Sequence, residues 1–323
     1  MRAPAAGSYT PAVVGDPFRV LRELVVNPGR AARRRPATQK AYKAFSNAVT
    51  ARRRRLLWDL TGSLPRPGGD RAVPRDTGLR VIAPGTFPSA AALVARCQTL
   101  LGHAERRATR KAQLISLLTP GEIGQIPEFV KFCLDPDIVG IASAYLNELP
   151  IVGAVELWYS RPIGGDYVNS QLYHVDLDDV QQLKVFLFVS DVDLESGPLT
   201  VLPAHVSARV SAALGYRPAS GRVRIGDTQI RPLLSPGEEV VLTGPKGTLA
   251  FVDTSRTLHF GSRVSSRERY VVMVQYLGLT NYVRNPFYAF EPWPFAHVAE
   301  PRHSRLQRAV LGEGVVRLVG RQR

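Results

Sequence analysis

The chain has 323 residues, of which 45% are hydrophobic and 21% are charged, a composition typical of globular proteins and unlike that of disordered or fibrous ones. No apolar run approaches the ~18 residues of a membrane span, and the first residues lack the apolar core of a secretory signal. Two cysteines exclude a disulfide framework and any cysteine-rich zinc module. These features predict a soluble protein of the cytoplasm.

The net charge of +15 is concentrated at the two ends of the chain. Residues 1–80 hold 17 Lys and Arg against 5 Asp and Glu, and residues 301–323 hold 6 against 1. A basic arm of this kind can bind nucleic acid or another anionic partner, but a solvated extension is the favoured interpretation. We therefore predict a basic, partly helical N-terminal extension and linker over 1–76, and a basic C-terminal tail over 301–323.

In the middle of the chain, the sequence pattern changes from helical to strand-like near Pro150. Before it, apolar spacings predict helices at Ala90–Leu101, Arg106–Leu118 and Pro127–Leu149, the last of them broken at Pro136. After it, short β-branched and aromatic runs predict strands at Val152–Tyr159, Gln171–Asp176, Leu183–Ser190, Leu199–Leu202, Val223–Ile225, Glu239–Leu242, Thr248–Val252 and Tyr270–Leu277. Strands without intervening helices favour a sandwich or jelly roll over a parallel sheet. Loops are expected at Ser160–Ser170 and Val206–Gln229.

Common nucleotide, hydrolase and zinc signatures are absent: the chain has no GxGxxG, GxxxxGK[ST], GxSxG, HExxH or CxxC. His174 and Asp176 form an H-x-D pair at the end of the predicted strand Gln171–Asp176. Residues two apart on a strand point to the same face, so this imidazole and this carboxylate can bind one metal ion. His103 and Glu105 have the same spacing, but in helical sequence such residues do not share a face.

A third candidate ligand, His259, follows the predicted strand Thr248–Val252 and a short turn. Two histidines and one carboxylate bind one face of Fe(II) and leave three positions open, as in non-haem iron oxygenases. Arg269 lies at the start of the next predicted strand, where its fixed charge suits the distal carboxylate of a small dicarboxylate. Arg263 and Arg267 also follow His259, and only the position at the strand start favours Arg269 over them.

Five ordered blocks resemble the phytanoyl-CoA dioxygenase (PhyH-like) family of Fe(II)/2-oxoglutarate oxygenases. The blocks are ELWYSRP (Glu156–Pro162), SQLYHVDLDD (Ser170–Asp179), LKVFLFVSDVDLESGPLTVLPAH (Leu183–His205), GTLAFVDTSRTLHFG (Gly247–Gly261) and SSRERYVVMVQY (Ser265–Tyr276). The resemblance covers about residues 115–300 and includes the helical stretch Pro127–Leu146. One departure is Pro203-Ala204-His205, where the family usually reads Pro-Gly-Ser-His, so we interpret His205 as structural.

The resemblance implies a mainly β fold with flanking helices, built on a double-stranded β-helix (a jelly-roll, cupin-like core). It implies iron bound by His174, Asp176 and His259, 2-oxoglutarate bound by Arg269, and O2 as the second cosubstrate. Lys184 shares strand parity with Phe186 and is a further candidate for the cosubstrate pocket, although an edge lysine facing water is the equal alternative. The dioxygenase domain would span 77–300, with a helical lead-in to about 150 and a β core over 151–280.

The implied activity is hydroxylation or desaturation of a small-molecule or carrier-bound metabolite, with release of succinate and CO2. The carboxylate at Asp176 counts against a halogenase, which would need a small residue there to admit chloride. Two other classes of function stay open. One is a catalytically silent metal-binding β-barrel; the other is a nucleic-acid-associated protein that acts through the arginine-rich arm containing Arg30–Arg35 and Arg52–Arg55.

Overall fold

The computed structural model describes residues 59–101, 114–162, 166–176, 178–179, 181–216, 224–263, 266–278, 289–292, 294–313 and 316–319. Its strands are β1 (Leu79–Ile82), β2 (Leu114–Ser116), β3 (Ile151–Ser160), β4 (Gln182–Phe188), β5 (Thr200–Val201), β6 (Val240–Val241), β7 (Leu249–Val252), β8 (His259–Phe260), β9 (Arg269–Leu277), β10 (Ala289–Pro292) and β11 (Val316–Val319). Its α-helices are α1 (Pro88–Leu101), α2 (Pro120–Gly124), α3 (Pro127–Cys133), α4 (Pro136–Leu146), α5 (Ala204–Ala213), α6 (Asp227–Ile230) and α7 (Arg305–Val310). None of these helices is long and apolar enough to cross a membrane.

Two antiparallel sheets face each other and enclose the candidate site. The larger has the order β1-β7-β4-β9-β3-β2, and the smaller has the order β6-β5-β8. One apolar cluster joins their inner faces, with Phe186, Phe188 and Met273 from the larger sheet and Val201 from the smaller. The fold is therefore mainly antiparallel β with flanking helices, a double-stranded β-helix as the sequence predicts. β10 and β11 form a separate two-stranded sheet.

β4 shows how the larger sheet separates its two faces. All seven of its residues are buried, because helices cover one face and the smaller sheet covers the other. Leu183, Val185 and Leu187 pack outward in the main core, together with residues of α1, α3 and α4. Because side chains alternate along a strand, Lys184 and Phe186 point the other way, into the space between the sheets. This alternation brings a lysine into the interior of the barrel.

The predicted break at Pro136 is confirmed, since Pro127–Leu149 forms α3 and α4 rather than one helix. Asp135 is the N-cap of α4, because its side chain accepts hydrogen bonds from the backbone N–H groups of Asp137 and Ile138. The helix predicted at Ala90–Leu101 is also present, as α1.

Three predictions of secondary structure are wrong. Leu114–Ser116, predicted as the end of a helix, is strand β2, because it pairs with the edge of β3. β1 lies at the start of a region predicted to be helical and pairs with β7. The segment Gln171–Asp176 is not a continuous strand: a short 3-10 turn ends at Gln171 and only single β-bridges follow. In each case pairing between distant segments outweighs the local pattern.

The expected loop Val206–Gln229 contains most of α5 and the start of α6, and only part of it lies in the described residues. Residues 1–58, 102–113 and 279–288 lie outside the described residues, and with them most of the basic extension, the His103–Glu105 pair and most of the helix predicted at Arg106–Leu118. Residues 59–76 are described in full, and Val73 among them is buried in the main core.

Candidate active site

The two histidines predicted as ligands lie side by side across a β-bridge. His174 N–H donates to the carbonyl of His259 at 3.1 Å, and His259 N–H donates to the carbonyl of His174 at 2.9 Å. The backbone N–H of Asp176 donates to the carbonyl of Thr254 at 2.8 Å, which holds the loop after His174 against the end of β7. One ligand atom from each of His174, Asp176 and His259 lies within 4.8 Å of the others.

Both imidazoles are held in the tautomer that leaves Nε2 as an electron-pair donor. Nδ1 of His174 lies 2.8 Å from the carbonyl oxygen of Leu172, and Nδ1 of His259 lies 2.9 Å from that of Thr257. A carbonyl oxygen only accepts hydrogen bonds, so the proton resides on Nδ1 in each ring. Burial lowers the pKa of both histidines, which keeps them neutral and able to bind a metal ion.

Asp176 lies between the histidines and a lysine. Its Oδ1 is 3.8 Å from Nε2 of His174, and its Oδ2 is 3.7 Å from Nε2 of His259. Nζ of Lys184 donates a hydrogen bond to Oδ2 of Asp176 at 2.7 Å. Burial by itself would raise the pKa of Asp176, but the charge of Lys184 and its hydrogen bond outweigh burial and lower that pKa. The carboxylate is therefore ionised, and one of its two oxygens is already hydrogen-bonded.

Arg269 is the buried arginine of this region, as its position at the start of β9 predicts. It is 7% exposed, and its Nη2 donates to Oγ of Ser262 at 3.0 Å. Its Nε has no hydrogen-bond partner within the described part of the chain. Burial lowers the pKa of Arg269 from 12.5 to about 10. A buried guanidinium with an unsatisfied donor is costly, and an anion bound beside it would remove that cost.

The other two arginines that follow His259 form ion pairs with carboxylates outside the metal-binding group. Arg263 makes a bidentate ion pair with Asp227, at 2.7 and 2.8 Å, and its guanidinium lies over the ring of Phe260. Arg267 is exposed and pairs with carboxylates of the neighbouring loop, Asp193 and Glu195. Among the three arginines, Arg269 is the one that lines the cavity described next.

A cavity of about 140 Å³ joins the metal-binding group to Arg269. Apolar side chains form most of its wall, and polar side chains form the rest. It is lined by Leu114, Trp158, Ser160, Ser170, His174, Asp176, Lys184, Phe186, Phe188, Leu199, Leu242, His259, Gly261, Ser262, Arg269 and Val271. All five residues singled out in the sequence line this one cavity. His205 lies outside it: the residue is exposed on α5, with Nδ1 3.1 Å from the carbonyl of Asp76.

Two contacts were not predictable from local sequence. Ser262, which accepts the hydrogen bond from Arg269, adopts a left-handed backbone conformation with φ of 54°, unusual for a serine, and carries no motif of its own. Lys184, a candidate for the cosubstrate pocket, does line the cavity, but its ion pair with Asp176 was not predicted. Both depend on how distant strands align, and the sequence has no local signal for that alignment.

Comparison with known proteins supports the fold. No family model matches the chain, and no curated protein matches it. Among solved structures, EctD from S. alaskensis with bound Fe has a TM-score of 0.52 and 18% sequence identity, over 74% of this chain and 86% of that one. The apoform of EctD gives a TM-score of 0.52 and 17% identity, over 72% and 84%. The non-heme alpha ketoglutarate dependent epimerase SnoN from nogalamycin biosynthesis gives 0.43 and 18%, over 63% and 79%. At these identities the similarity establishes the architecture alone.

Proposed function

We propose that the protein is an Fe(II)/2-oxoglutarate-dependent dioxygenase that hydroxylates a small-molecule or carrier-bound metabolite. One observation carries the proposal. Two imidazole Nε2 atoms and one carboxylate converge within 4.8 Å, in the same cavity as a buried arginine whose Nε has no partner among the described residues. EctD, whose architecture this chain shares, has been solved with bound Fe. The motif blocks further favour a place among PhyH-like enzymes.

The donor set fits Fe(II). Neutral imidazole and ionised carboxylate are the ligands of the two-histidine, one-carboxylate iron site, which leaves three positions free for a bidentate cosubstrate and O2. His174, Asp176 and His259 would hold the ion from one side. Their second contacts, to backbone carbonyls and to Lys184, fix the orientation of each ligand before the metal binds.

Arg269 would bind the distal carboxylate of 2-oxoglutarate. Its charge is buried, its Nη2 donates to Ser262, and its Nε has no partner in the described part of the chain, so a carboxylate there would complete its hydrogen bonds. The apolar walls from Phe186, Phe188 and Val271 would enclose the methylene carbons and keep water from the cosubstrate.

Lys184 would act on the metal ligand rather than on the cosubstrate. By occupying Oδ2 of Asp176 it leaves Oδ1 as the oxygen for the metal, so the carboxylate takes one coordination position instead of two. When bound, iron with its keto acid supplies the oxidising chemistry, and the residues of this chain supply the ligand geometry, the anion site and a dry cavity.

The test is succinate formation. Purified protein is loaded anaerobically with Fe(II) and 2-oxoglutarate, air is admitted without substrate, and succinate is measured against time. Wild-type protein should form succinate slowly, and His174→Ala and His259→Ala should reduce it to background because two protein ligands hold Fe(II) poorly. The matched control is His205→Ala, an exposed histidine outside the cavity, which should keep the wild-type rate. Folded wild-type protein that forms no succinate would leave a silent metal-binding barrel as the better account.

A further inference from the structure

The smaller sheet carries one row of residues whose side chains share a face. Val240 pairs with Val201, Val201 pairs with His259, and His259 pairs with His174. Directly paired residues of antiparallel strands lie on the same face, with Cβ atoms ~4.5–5.5 Å apart. The row therefore runs from two valines to the two candidate histidine ligands.

Arg224 continues this row beyond His174. Tyr173 N–H donates to the carbonyl of Ile225 at 3.1 Å, and Ile225 N–H donates to the carbonyl of Tyr173 at 2.9 Å. In an antiparallel pair the next residue of one strand opposes the preceding residue of the other, so His174 opposes Arg224. Tyr173 and Ile225 are buried together behind the sheet. Arg224 and His174 therefore belong to the opposite face, the one that carries the metal-binding group.

The charge of Arg224 acts on this group. For Arg224 itself burial lowers the pKa, while the charge of Asp176 raises it. Arg224 is only half-buried, and the side chain of Asp176 keeps 20% of its surface exposed. Both side chains are therefore partly accessible from solvent.

We infer that Arg224 binds a negatively charged group of the substrate, a carboxylate or a phosphate, beside the candidate metal centre. The inference rests on the proposed function, which places a metal ion on Asp176 and the cosubstrate on Arg269. Lys184 is paired with Asp176, and Arg269 binds the cosubstrate. A metal ion on Asp176 neutralises the carboxylate that attracts Arg224, so a substrate anion gains most from Arg224 once metal is bound. The oxidised carbon would lie within a few bonds of that anionic group.

The test compares probes that share one alkyl chain and differ only in the head group. Full-length protein with Fe(II) and saturating 2-oxoglutarate is titrated anaerobically by calorimetry with hexanoate, hexyl phosphate and hexan-1-ol. At least one anionic probe should bind ten times more tightly than the alcohol. Comparison of hexanoate with hexyl phosphate then shows whether the substrate anion is a carboxylate or a phosphate. Arg224→Gln should reduce this preference below twofold, and Arg224→Glu should prefer hexylammonium instead. Arg267→Gln, whose exposed guanidinium pairs with Asp193 and Glu195, should keep the wild-type preference.

Two results would overturn the assignment of Arg224. One is equal affinity of wild-type protein for the anions and the alcohol; the other is a preference that survives in Arg224→Gln, which would place the anion elsewhere. If Arg224→Gln does not fold by circular dichroism, Arg224→Lys should keep an anion preference that Arg224→Glu loses. Succinate formation by the same wild-type preparation separates the two claims: succinate without anion preference overturns only Arg224, and no succinate overturns the proposed function together with it.

Discussion

At the scale of single residues, the contact between Lys184 and Asp176 sets the charge of the site. Burial alone would lower the pKa of Lys184, but the charges of Asp176 and Asp178 raise it, so the ammonium stays protonated. In the metal-free protein this ammonium is the counter-charge of the carboxylate. A bound metal ion takes over that role, and lysine and metal then repel each other across Asp176.

Replacement of Lys184 by methionine should therefore affect the metal-free protein more than the metal-bound one. Removing one member of a buried ion pair costs about 3–5 kcal/mol, and Lys184→Met should lower the unfolding free energy without metal by a similar amount. Saturating Zn(II) should recover much of this loss, because the ion neutralises Asp176. Urea unfolding with and without Zn(II) measures both values, with exposed Lys246→Met as the control. An equal loss in the two states would mean that Lys184 acts through packing alone.

Arg269 and Arg267 give a matched pair for the cosubstrate site. Loss of a charge-assisted contact that leaves its partner unpaired costs about 2–4 kcal/mol, or about 30- to 1,000-fold in affinity. Arg269→Gln should weaken 2-oxoglutarate binding by that factor and leave Fe(II) affinity nearly unchanged. Arg267→Gln should change neither, since its guanidinium is exposed. Calorimetry on the Fe(II)-loaded proteins measures both affinities. A larger loss of 2-oxoglutarate binding in Arg267→Gln than in Arg269→Gln would refute the assignment of Arg269.

At the scale of elements, the sequence predicted those helices and strands whose structure depends on interactions between residues close in the chain. The strand at Tyr270–Leu277 and the helix break before Pro136 were predicted correctly, because the run of strand-forming residues and the effect of a proline on the backbone both extend over only a few residues. The three candidate metal ligands were also identified from the sequence, because the H-x-D spacing and the motif blocks lie in the chain itself. The edge strands β1 and β2 were not, because their strand form depends on pairing with β7 and β3.

The same limit explains the residues that the sequence analysis missed. Ser262 meets Arg269, and Arg224 lies beside His174, only because segments from different parts of the chain align in register. Lys184 was identified as an interior candidate from its parity with Phe186, but its partner could not be deduced. A single sequence indicates which face of a strand a side chain lies on, whereas the residue that it contacts is determined by the tertiary structure.

Gly197 connects the loop after β4 to the cosubstrate end of the cavity. Its φ is +61°, and a Cβ there would lie 2.8 Å from the carbonyl oxygen of Arg263. Gly237 has a similar φ of +84° but open space around it. The positive φ costs an alanine about 1–2 kcal/mol at either position, and at Gly197 the clash should add about 1–3 kcal/mol.

Gly197→Ala should therefore destabilise the protein by about 2–5 kcal/mol and Gly237→Ala by about 1–2 kcal/mol. The carbonyl of Gly197 also accepts the backbone N–H of Ser262 at 3.1 Å, so its displacement should weaken 2-oxoglutarate binding through Arg269. Thermal unfolding and calorimetry measure the two effects. Equal destabilisation by both alanines would show that the contact with Arg263 is unimportant.

At the scale of the whole molecule, positive charge and candidate chemistry lie in different parts of the chain. Residues 1–58 contain 13 Lys and Arg against 2 Asp and Glu, while every candidate site residue lies between 174 and 269. Val73 belongs to the main core, and Leu60 and Leu64 pack against that core, so a truncation that preserves the body must keep residues from Asp59 onward.

A chain that begins at Asp59 should bind Fe(II) and 2-oxoglutarate as tightly as the full chain, because it keeps the whole site and Val73. Anaerobic binding assays on the two proteins check this. The alternative that the arm carries the function makes a different prediction: affinity for nucleic acid that falls steeply with salt and is lost on truncation. Loss of cosubstrate binding in a folded, truncated chain would show that the arm contributes to the site.

The most direct test of the central claim is anaerobic titration of the Fe(II)-loaded protein with 2-oxoglutarate, followed by visible absorption. If His174, Asp176 and His259 bind one iron and Arg269 holds the keto acid against it, a weak charge-transfer band should appear and saturate at one 2-oxoglutarate per iron. Asp176→Ala should lose the band, and Asp191→Ala, which removes an exposed carboxylate that accepts a hydrogen bond from the backbone N–H of Lys246, should keep it. Folded wild-type protein that retains no iron, or that binds iron and gives no band, would contradict the account.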